Sequence, residues 1–473
     1  MSDSPSLIVT QEGLQAAFDR AHTASRQDMM PAAAERRCRL DALEALLQDH
    51  RDRLADAVAA DFGHRSRHET QLLEFFPTLE GIRHARRHLQ RWMAPRRRPV
   101  SLWFQPGRAE LRPQPLGCVG IVTPWNYPIY LATGPLTAAF AAGNRALLKM
   151  SEFTPATAAA LADLASRYFS RDELAVVGGD QSLATAFTAL PFDHLLFTGS
   201  TAVGRQVMRA AAANLTPVTL ELGGKSPALI APGYPSAAAA ARILAGKCLN
   251  AGQTCIAPDY VLLPADTLPA FVQAARQLVT TRYPDLASNP DYSAIINDRH
   301  WQRLDSLLAD ARSRGAEIVP LCESSDVSRR RLPPTLILNP SDDMRVMQEE
   351  IFGPLLPVLT YRTLDEALAY INAHDRPLAL YLFDREPARI RRVLDGTIAG
   401  GVTVNDTILH IAQDELPFGG IGPSGMGHYH GQAGFDTFSK LKPVFHQSRL
   451  NAMRLFDPPY GALFERMLKV LLR

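Results

Sequence analysis

Between residues 33 and 62 the apolar side chains Leu40, Leu43, Leu47, Leu54, Val58 and Phe62 recur at spacings of three, four and seven, which predicts helix with one buried face. A second helical stretch carries Leu73, Phe76, Leu79, Ile82, Leu89 and Trp92 and stops at Pro95. Residues 100–112 then read as an extended hairpin with Gly107 at its turn. From there the pattern changes to short apolar runs at 117–122, 146–149, 174–178, 194–197 and 218–222, each followed by a Gly- or Pro-marked loop and a helical segment. A similar set follows at 228–230, 260–263, 335–338, 356–361, 378–383 and 401–405. This alternation predicts an α/β protein with two parallel-sheet domains. A Gly-rich stretch, 417–434, precedes a last strand at 442–446 and a basic amphipathic helical tail, 464–473, which is expected to pack on its own subunit.

Composition removes several function classes. The 473 residues carry 50 basic and 48 acidic side chains, too even a balance to steer the molecule onto nucleic acid. The Arg96, Arg97, Arg98 run therefore reads as a solvated or subunit-facing surface. The uncharged run 113–144 is interrupted by Pro115, Pro124, Pro128 and Pro135, so it predicts buried strand, loop and helix and no membrane span. Five cysteines (Cys38, Cys118, Cys248, Cys255, Cys322) form no metal spacing and point to a reducing compartment. Residues 1–18 lack the basic start and apolar stretch of a secretory signal, which makes the cytoplasm the expected location.

Five segments carry chemistry. Phe197-Thr-Gly-Ser-Thr-Ala-Val-Gly204 sets glycines and hydroxyls between a strand and a helix, where free N–H groups favour a phosphate, although a plain strand-to-helix turn has the same composition. In Lys149-Met-Ser-Glu152 a carboxylate and an ammonium could bond the hydroxyls of a ribose, or could be a surface ion pair. Gly252-Gln-Thr-Cys255 holds a thiol in a polar loop, either as a nucleophile or as an inert buried cysteine. Glu221, beside Gly223 and Gly224, and Asn126, within Pro124-Trp-Asn-Tyr-Pro128, end two further strands with a carboxylate and an amide.

Together with Glu349-Glu-Ile-Phe-Gly-Pro354 and Pro417-Phe-Gly-Gly-Ile-Gly422, these motifs in this order resemble the aldehyde dehydrogenase superfamily across nearly the whole chain. The segment Asp61-Phe-Gly-His-Arg65 and the Pro458-Pro-Tyr-Gly461 tail are most similar to the class 3 type branch and its coniferyl aldehyde dehydrogenase relatives. The resemblance implies an NAD-binding domain (1–97 and 113–221), a catalytic domain (222–410), a small β oligomerisation element (98–112 and 411–450) and a tail (451–473). The extended hairpin would expose unpaired strand edges, which dimerisation can cover, so a homodimer is expected.

For the chemistry, the resemblance implies that Cys255 attacks an aldehyde, that Asn126 and the Cys255 N–H hold the oxyanion, and that Glu221 activates the water releasing a carboxylic acid. Lys149 and Glu152 would hold the adenosine ribose, favouring NAD while NADP is tolerated. Trp125, Thr198, Gly199, Ser200 and Gly204 would line the dinucleotide, with Glu350 and Phe352 at the nicotinamide ribose. No metal is required. Tyr127, Tyr130 and Phe438 suit an apolar or phenylpropanoid aldehyde, and His194, His410, His428 and His430 are expected to be structural. Two rival classes remain: a non-redox thiol hydrolase or acyltransferase, and an inactive structural homologue.

Overall fold

The computed structural model describes residues 6–322 and 329–472. Its first strands are β1 (Leu7–Ile8), β2 (Arg96–Arg98), β3 (Arg108–Pro115), β4 (Cys118–Val122), β5 (Arg145–Lys149), β6 (Leu174–Val177), β7 (His194–Thr198) and β8 (Val218–Glu221). They continue with β9 (Pro227–Ile230), β10 (Tyr260–Pro264), β11 (Glu317–Pro320), β12 (Thr335–Leu338) and β13 (Leu355–Tyr361). The last are β14 (Ala379–Phe383), β15 (Gly401–Val404), β16 (Gly425–Met426) and β17 (Ser439–His446).

These strands form a seven-stranded sheet, β1-β6-β5-β4-β7-β8-β16, a second of seven, β11-β12-β13-β10-β9-β14-β15, and a three-stranded sheet, β17-β3-β2. In the first, β4, β5 and β7 are buried on both faces, which is why they read as unbroken apolar runs. Side chains alternate between two cores: Leu147 and Leu195 pack with Phe18, Phe187 and Val207 on one face. Leu148 and Leu196 pack with Leu47, Leu89 and Leu136 on the other. The chain goes from β4 outward through β5 and β6, then returns to the other side of β4 with β7 and β8. The crevice between two such halves, at the carboxyl ends of the strands, is where open α/β sheets bind ligands.

Several expectations change. The stretch 33–62 is two helices, Ala33–Asp49 and Arg51–Phe62, meeting at His50. The hairpin is displaced: β2 pairs with β3 from Arg96↔Leu111 to Arg98↔Ala109, so residues 99–107 are the connection, and the three-stranded sheet starts at Arg96. Arg96 is half-buried because Asp436 accepts two bonds from its guanidinium, at 2.7 and 2.5 Å, while Arg97 and Arg98 are exposed. Within the Gly-rich stretch, β16 returns to the first sheet and pairs antiparallel with β8, setting Gly425 opposite Glu221.

The tail does form a helix, Ala462–Leu471, but buries none of its side chains, and Leu463 and Val470 are 59% and 61% exposed. The expected packing on its own subunit is thus corrected; residue 473 lies outside the described residues. Among the described residues no helix is long and apolar enough to cross a membrane.

Candidate active site

A groove of about 740 Å³ opens across the carboxyl ends of β4, β5 and β7. Register places Val122 beside Lys149 and Phe197, and Thr198 beside Glu221, so the strand ends form one row. Trp125, Lys149, Glu152, Thr198, Gly199 and Ser200 line the groove, and Ser200 caps the Thr201–Ala212 helix by accepting from the Val203 N–H at 3.4 Å. Lys149 is buried, which lowers its pKa, and its ammonium donates to the carbonyls of Met150 (2.8 Å) and Gly179 (3.3 Å). The third ammonium hydrogen remains for a ligand. Thr123 Oγ1 and Thr198 Oγ1 are buried on this wall without a hydrogen-bond partner among the described residues. A helix N-terminus, unpaired hydroxyls and an exposed Glu152 fit a dinucleotide with its pyrophosphate at the helix and its ribose at the carboxylate.

Gly204 and Phe438 do not belong to these surfaces. A Cβ on Gly204 would stand 2.6 Å from Leu222 Cδ2, so this glycine lets its helix approach the sheet. It is absent from the groove wall. Phe438 is fully buried in the core, edge-on to His194 at 5.3 Å.

The thiol lies beside the groove: Asn126, which follows the groove-lining Trp125, bonds Gln253, two residues before Cys255. Asn250, Ala251 and Gly252 take left-handed backbone angles in succession (φ 50°, 51° and 77°), and a Cβ on Gly252 would collide with the Gly353 carbonyl. Gln253 holds this turn by donating to the carbonyls of Asn250 (2.9 Å) and Ala294 (3.0 Å) and accepting from the Ile296 N–H (2.9 Å). Thr254 bonds the Tyr127 hydroxyl at 2.6 Å, and Cys255 follows, half-buried. Burial first, then the carboxylates Glu350 and Glu221, push this thiol up to about 12, while the N–H groups of Cys255 and Ile256 pull it down. The resting sulfur is protonated at neutral pH, so it needs a base to become a nucleophile.

Asn126, 2% exposed, points one N–H at the Gln253 carbonyl (3.1 Å), leaving its second amide hydrogen without a partner among the described residues, beside the Cys255 turn. Its own carbonyl accepts from Arg65 (2.5 Å) and Asn250 Nδ2 (2.9 Å). Arg65 is fully enclosed, over the rings of Phe62 and Tyr127, and faces the equally buried Glu74 at 3.4 Å. Glu74 accepts from the N–H groups of Ile129 (2.8 Å) and Tyr130 (3.2 Å), fixing the loop after β4. Removing one partner of such a buried pair costs about 3–5 kcal/mol, since the other charge is stranded.

Glu221 ends β8, is 2% exposed, and neither of its carboxylate oxygens has a hydrogen-bond partner among the described residues. Burial alone raises its pKa well above the ordinary carboxylate range. Glu350 lies across Gly223, where a Cβ would overlap its carboxylate, and accepts from the Gly224 N–H. Burial and Asp259 push it up to about 8 against the pull of Gly224, Lys225 and Arg303. Lys225 explains its own place in the motif: it pairs with Asp259 and donates to the carbonyls of Val346 (2.8 Å) and Glu349 (3.1 Å), while Asp259 accepts from the Ile351 N–H (3.0 Å). Phe352 adopts φ 50° and meets the groove-lining Trp125 edge-on at 5.3 Å.

The structure therefore brings Cys255, Asn126, Glu221 and Glu350 to one place and the groove residues to its neighbour. Sequence reasoning missed Arg65, Glu74, Asn250, Gln253, Lys225 and Asp259 as supports, and Tyr381 and Tyr429, whose titration feels the Cys255 charge as Tyr127 and Tyr130 do. Of the four histidines, His194 bonds Thr219 (3.0 Å), His410 bonds Thr403 (2.9 Å), His430 bonds Tyr130 (3.0 Å) and His428 is exposed.

The aldehyde dehydrogenase family profile matches residues 8–444. A probable coniferyl aldehyde dehydrogenase of Pseudomonas aeruginosa is 55% identical over 96% of this chain and 95% of its own. The coniferyl aldehyde dehydrogenase of Pseudomonas sp. strain HR199 is 48% identical over 98% and 97%. Among solved structures, a substrate-bound Staphylococcus aureus AldH superimposes with a TM-score of 0.92 at 36% identity, covering 97% of this chain and 99% of that one. A Mycobacterium tuberculosis aldehyde dehydrogenase complexed with NAD+ gives 0.84 at 27%, covering 93% and 91%. The motif order, the geometry and these matches agree: the chain belongs to the aldehyde dehydrogenase family.

Proposed function

We propose that the chain oxidises an aldehyde to its carboxylic acid, with NAD as the preferred partner and Cys255 as the nucleophile. The observation that carries this reading is the convergence of a thiol with an amide N–H and a carboxyl, both unpartnered among the described residues, beside a dinucleotide-sized groove. The first sheet and its helices would serve the cofactor, the second the chemistry. When bound, the dinucleotide supplies the hydride acceptor. Lys149 and Glu152 hold its adenosine ribose; Glu152 repels a 2′-phosphate, which favours NAD over NADP while leaving NADP tolerated.

Cys255 gives up its S–H proton to a base, Glu221 or water, and the thiolate adds to the carbonyl carbon; the resulting oxyanion sits between the second N–H of Asn126 and the backbone N–H of Cys255. Once the carbon has lost hydride a thioester remains, and Glu221 takes a proton from the water that cleaves it. Glu350 and Phe352 bound the space where the hydride acceptor lies. Preorganised donors of this kind each contribute about 10²- to 10³-fold, so Asn126→Ala lowers kcat by that factor without unfolding the chain. Steady-state kinetics beside a thermal melt check both halves of that expectation.

The substrate we propose is an aromatic aldehyde such as coniferyl aldehyde, with medium-chain alkanals as the second choice. The names of the relatives support it, as do Tyr127, Tyr130, Tyr381 and Tyr429 around the thiol. Coniferyl aldehyde, benzaldehyde and medium-chain alkanals are mixed with protein and NAD while NADH absorbance and acid are followed. NADH and acid in equal amounts support the reading. Ester or thioester hydrolysis without NADH would establish the thiol hydrolase instead, and silence with every aldehyde would leave an inactive homologue.

We place the enzyme in the cytoplasm, where its thiols stay reduced. We also propose a homodimer, because β2 and β17 are open edges and Leu102, Trp103, Phe104 and Phe445 are exposed beside them. A solution mass near 51.9 kDa rather than twice that value would exclude it.

A further inference from the structure

The helix Phe76–Met93 carries His84 and His88 one turn apart, on the same face. Glu415, more than three hundred positions away, reaches them from the loop that follows β15. Among the described residues these three offer donor atoms within 4.8 Å of one another, well away from Cys255 in sequence and on neither wall of the dinucleotide groove.

We infer that His84, His88 and Glu415 form a binding site for a divalent transition cation of borderline softness, Zn2+ being the best match. His84 is only 7% exposed, and its Nε2 makes no hydrogen bond among the described residues, although Glu415 Oε1 is 3.2 Å away. A buried imidazole nitrogen left bare costs free energy unless something else satisfies it. The 3.2 Å separation is close to the roughly 3.3 Å edge of a tetrahedron built from Zn–N and Zn–O bonds of about 2.0–2.2 Å.

His88 supports the same reading. Its Nδ1 lies 2.9 Å from the His84 carbonyl, so Nδ1–H donates there and Nε2 is the atom left to bind. Such a backbone bond is the usual way a ligating histidine has its tautomer fixed. The two rings lie 4.3 Å apart, tilted by 40°. His88 is partly open and Glu415 exposed, which gives an ion a way in. Two histidines and a carboxylate suit Zn2+, Co2+ or Ni2+ far better than Mg2+ or Ca2+, which prefer oxygen. Water would complete the shell. Arg91 is a competitor, its guanidinium 3.9 Å from Glu415.

Such an ion would tie the loop to the helix. Asp414, next to Glu415, packs against Gly81 of that helix, and Ile411 of the same loop packs on Tyr127 and Tyr130 beside the thiol. Occupancy would therefore brace the loop whose Ile411 packs on these residues, without supplying any chemistry there.

Co2+ is the probe, because its visible bands report N/O ligation while a thiolate-to-metal band reports capture by cysteine. Titrating the metal-stripped full chain is expected to give one tightly held Co2+ with visible bands, no thiolate band, and displacement by one equivalent of Zn2+. His88→Ala and Glu415→Gln should each weaken binding by roughly tenfold or more, with dehydrogenase kinetics in the absence of metal unchanged. Arg91→Ala should tighten it. Hydrogen exchange in residues 409–416 should slow on Zn2+ addition in the parent chain and not in His88→Ala. The site is overturned if Co2+ fails to bind, if binding survives both ligand substitutions, or if the bound ion shows the thiolate band.

Discussion

Cys255→Ala is expected to lower turnover by about four orders of magnitude or more, because the covalent intermediate we propose cannot form without its sulfur. The substituted side chain is small and half-buried, so the melting temperature stays near that of the parent. NAD affinity stays as well, since Cys255 is not on the groove wall. The nearest thiol in sequence cannot substitute: Cys248 is 2% exposed, in a hydrophobic core beside the second sheet, and burial pushes it up to about 12. Stopped-flow NADH formation with and without the substitution measures the loss, and equilibrium NAD titration checks the binding. A Cys255→Ala variant within tenfold of the parent would remove the nucleophile from the mechanism. The same sulfur predicts a pH effect of definite sign. With its pKa raised, its thiolate fraction grows as pH rises, so alkylation of Cys255 accelerates from pH 7 to 10 and is slow at pH 6.

Most strands were legible because parallel strands buried on both faces leave continuous apolar runs, and β4, β5, β7, β12 and β14 lie within two residues of their expected positions at each end. β1 and β16 were not, since two residues carry no period. The candidate site was legible as short motifs whose residue types only make sense together. What holds it was not. Arg36 shows the difficulty: 2% exposed, its guanidinium donates to the carbonyls of Pro31 nearby in sequence and of Ala141 and Ala142, which only the folded chain brings near. Arg65, Glu74 and Lys247 are alike in this respect, charged residues that read as surface in a single sequence. The reverse error has the same origin. Gly204 sits in a functional motif and Phe438 reads as a candidate substrate aromatic, and packing against Leu222 and His194 is what places them in the interior. His84 and His88 show a spacing of four, but nothing in the sequence couples them to Glu415.

Glu221→Gln separates the two roles that its position allows. If the carboxylate acts only on water, the variant still forms the thioester: one equivalent of NADH appears rapidly, and the steady-state rate falls about 10²- to 10⁴-fold. If it also takes the Cys255 proton, the rapid phase itself slows, and raising the pH restores it. The burst amplitude in a single mixing experiment distinguishes these cases, and steady-state turnover equal to the parent would exclude both. Stability supplies an independent reading of the same residue. Burial without a hydrogen-bond partner raises the folded-state pKa of Glu221 above its unfolded value near 4.3. The folded chain therefore holds this proton more tightly than the unfolded chain. The resulting stabilisation is complete below the unfolded pKa and is lost as pH rises toward the folded one, by up to about 1.4 kcal/mol per pH unit. Glutamine has no proton to lose at this position. The melting temperature of Glu221→Gln should therefore gain on the parent steadily from pH 5 upward, so that the enzyme most damaged in turnover is the more stable one at pH 8. A difference that stays flat across that range would mean that the carboxyl is solvated and cannot be the desolvated base that the mechanism needs.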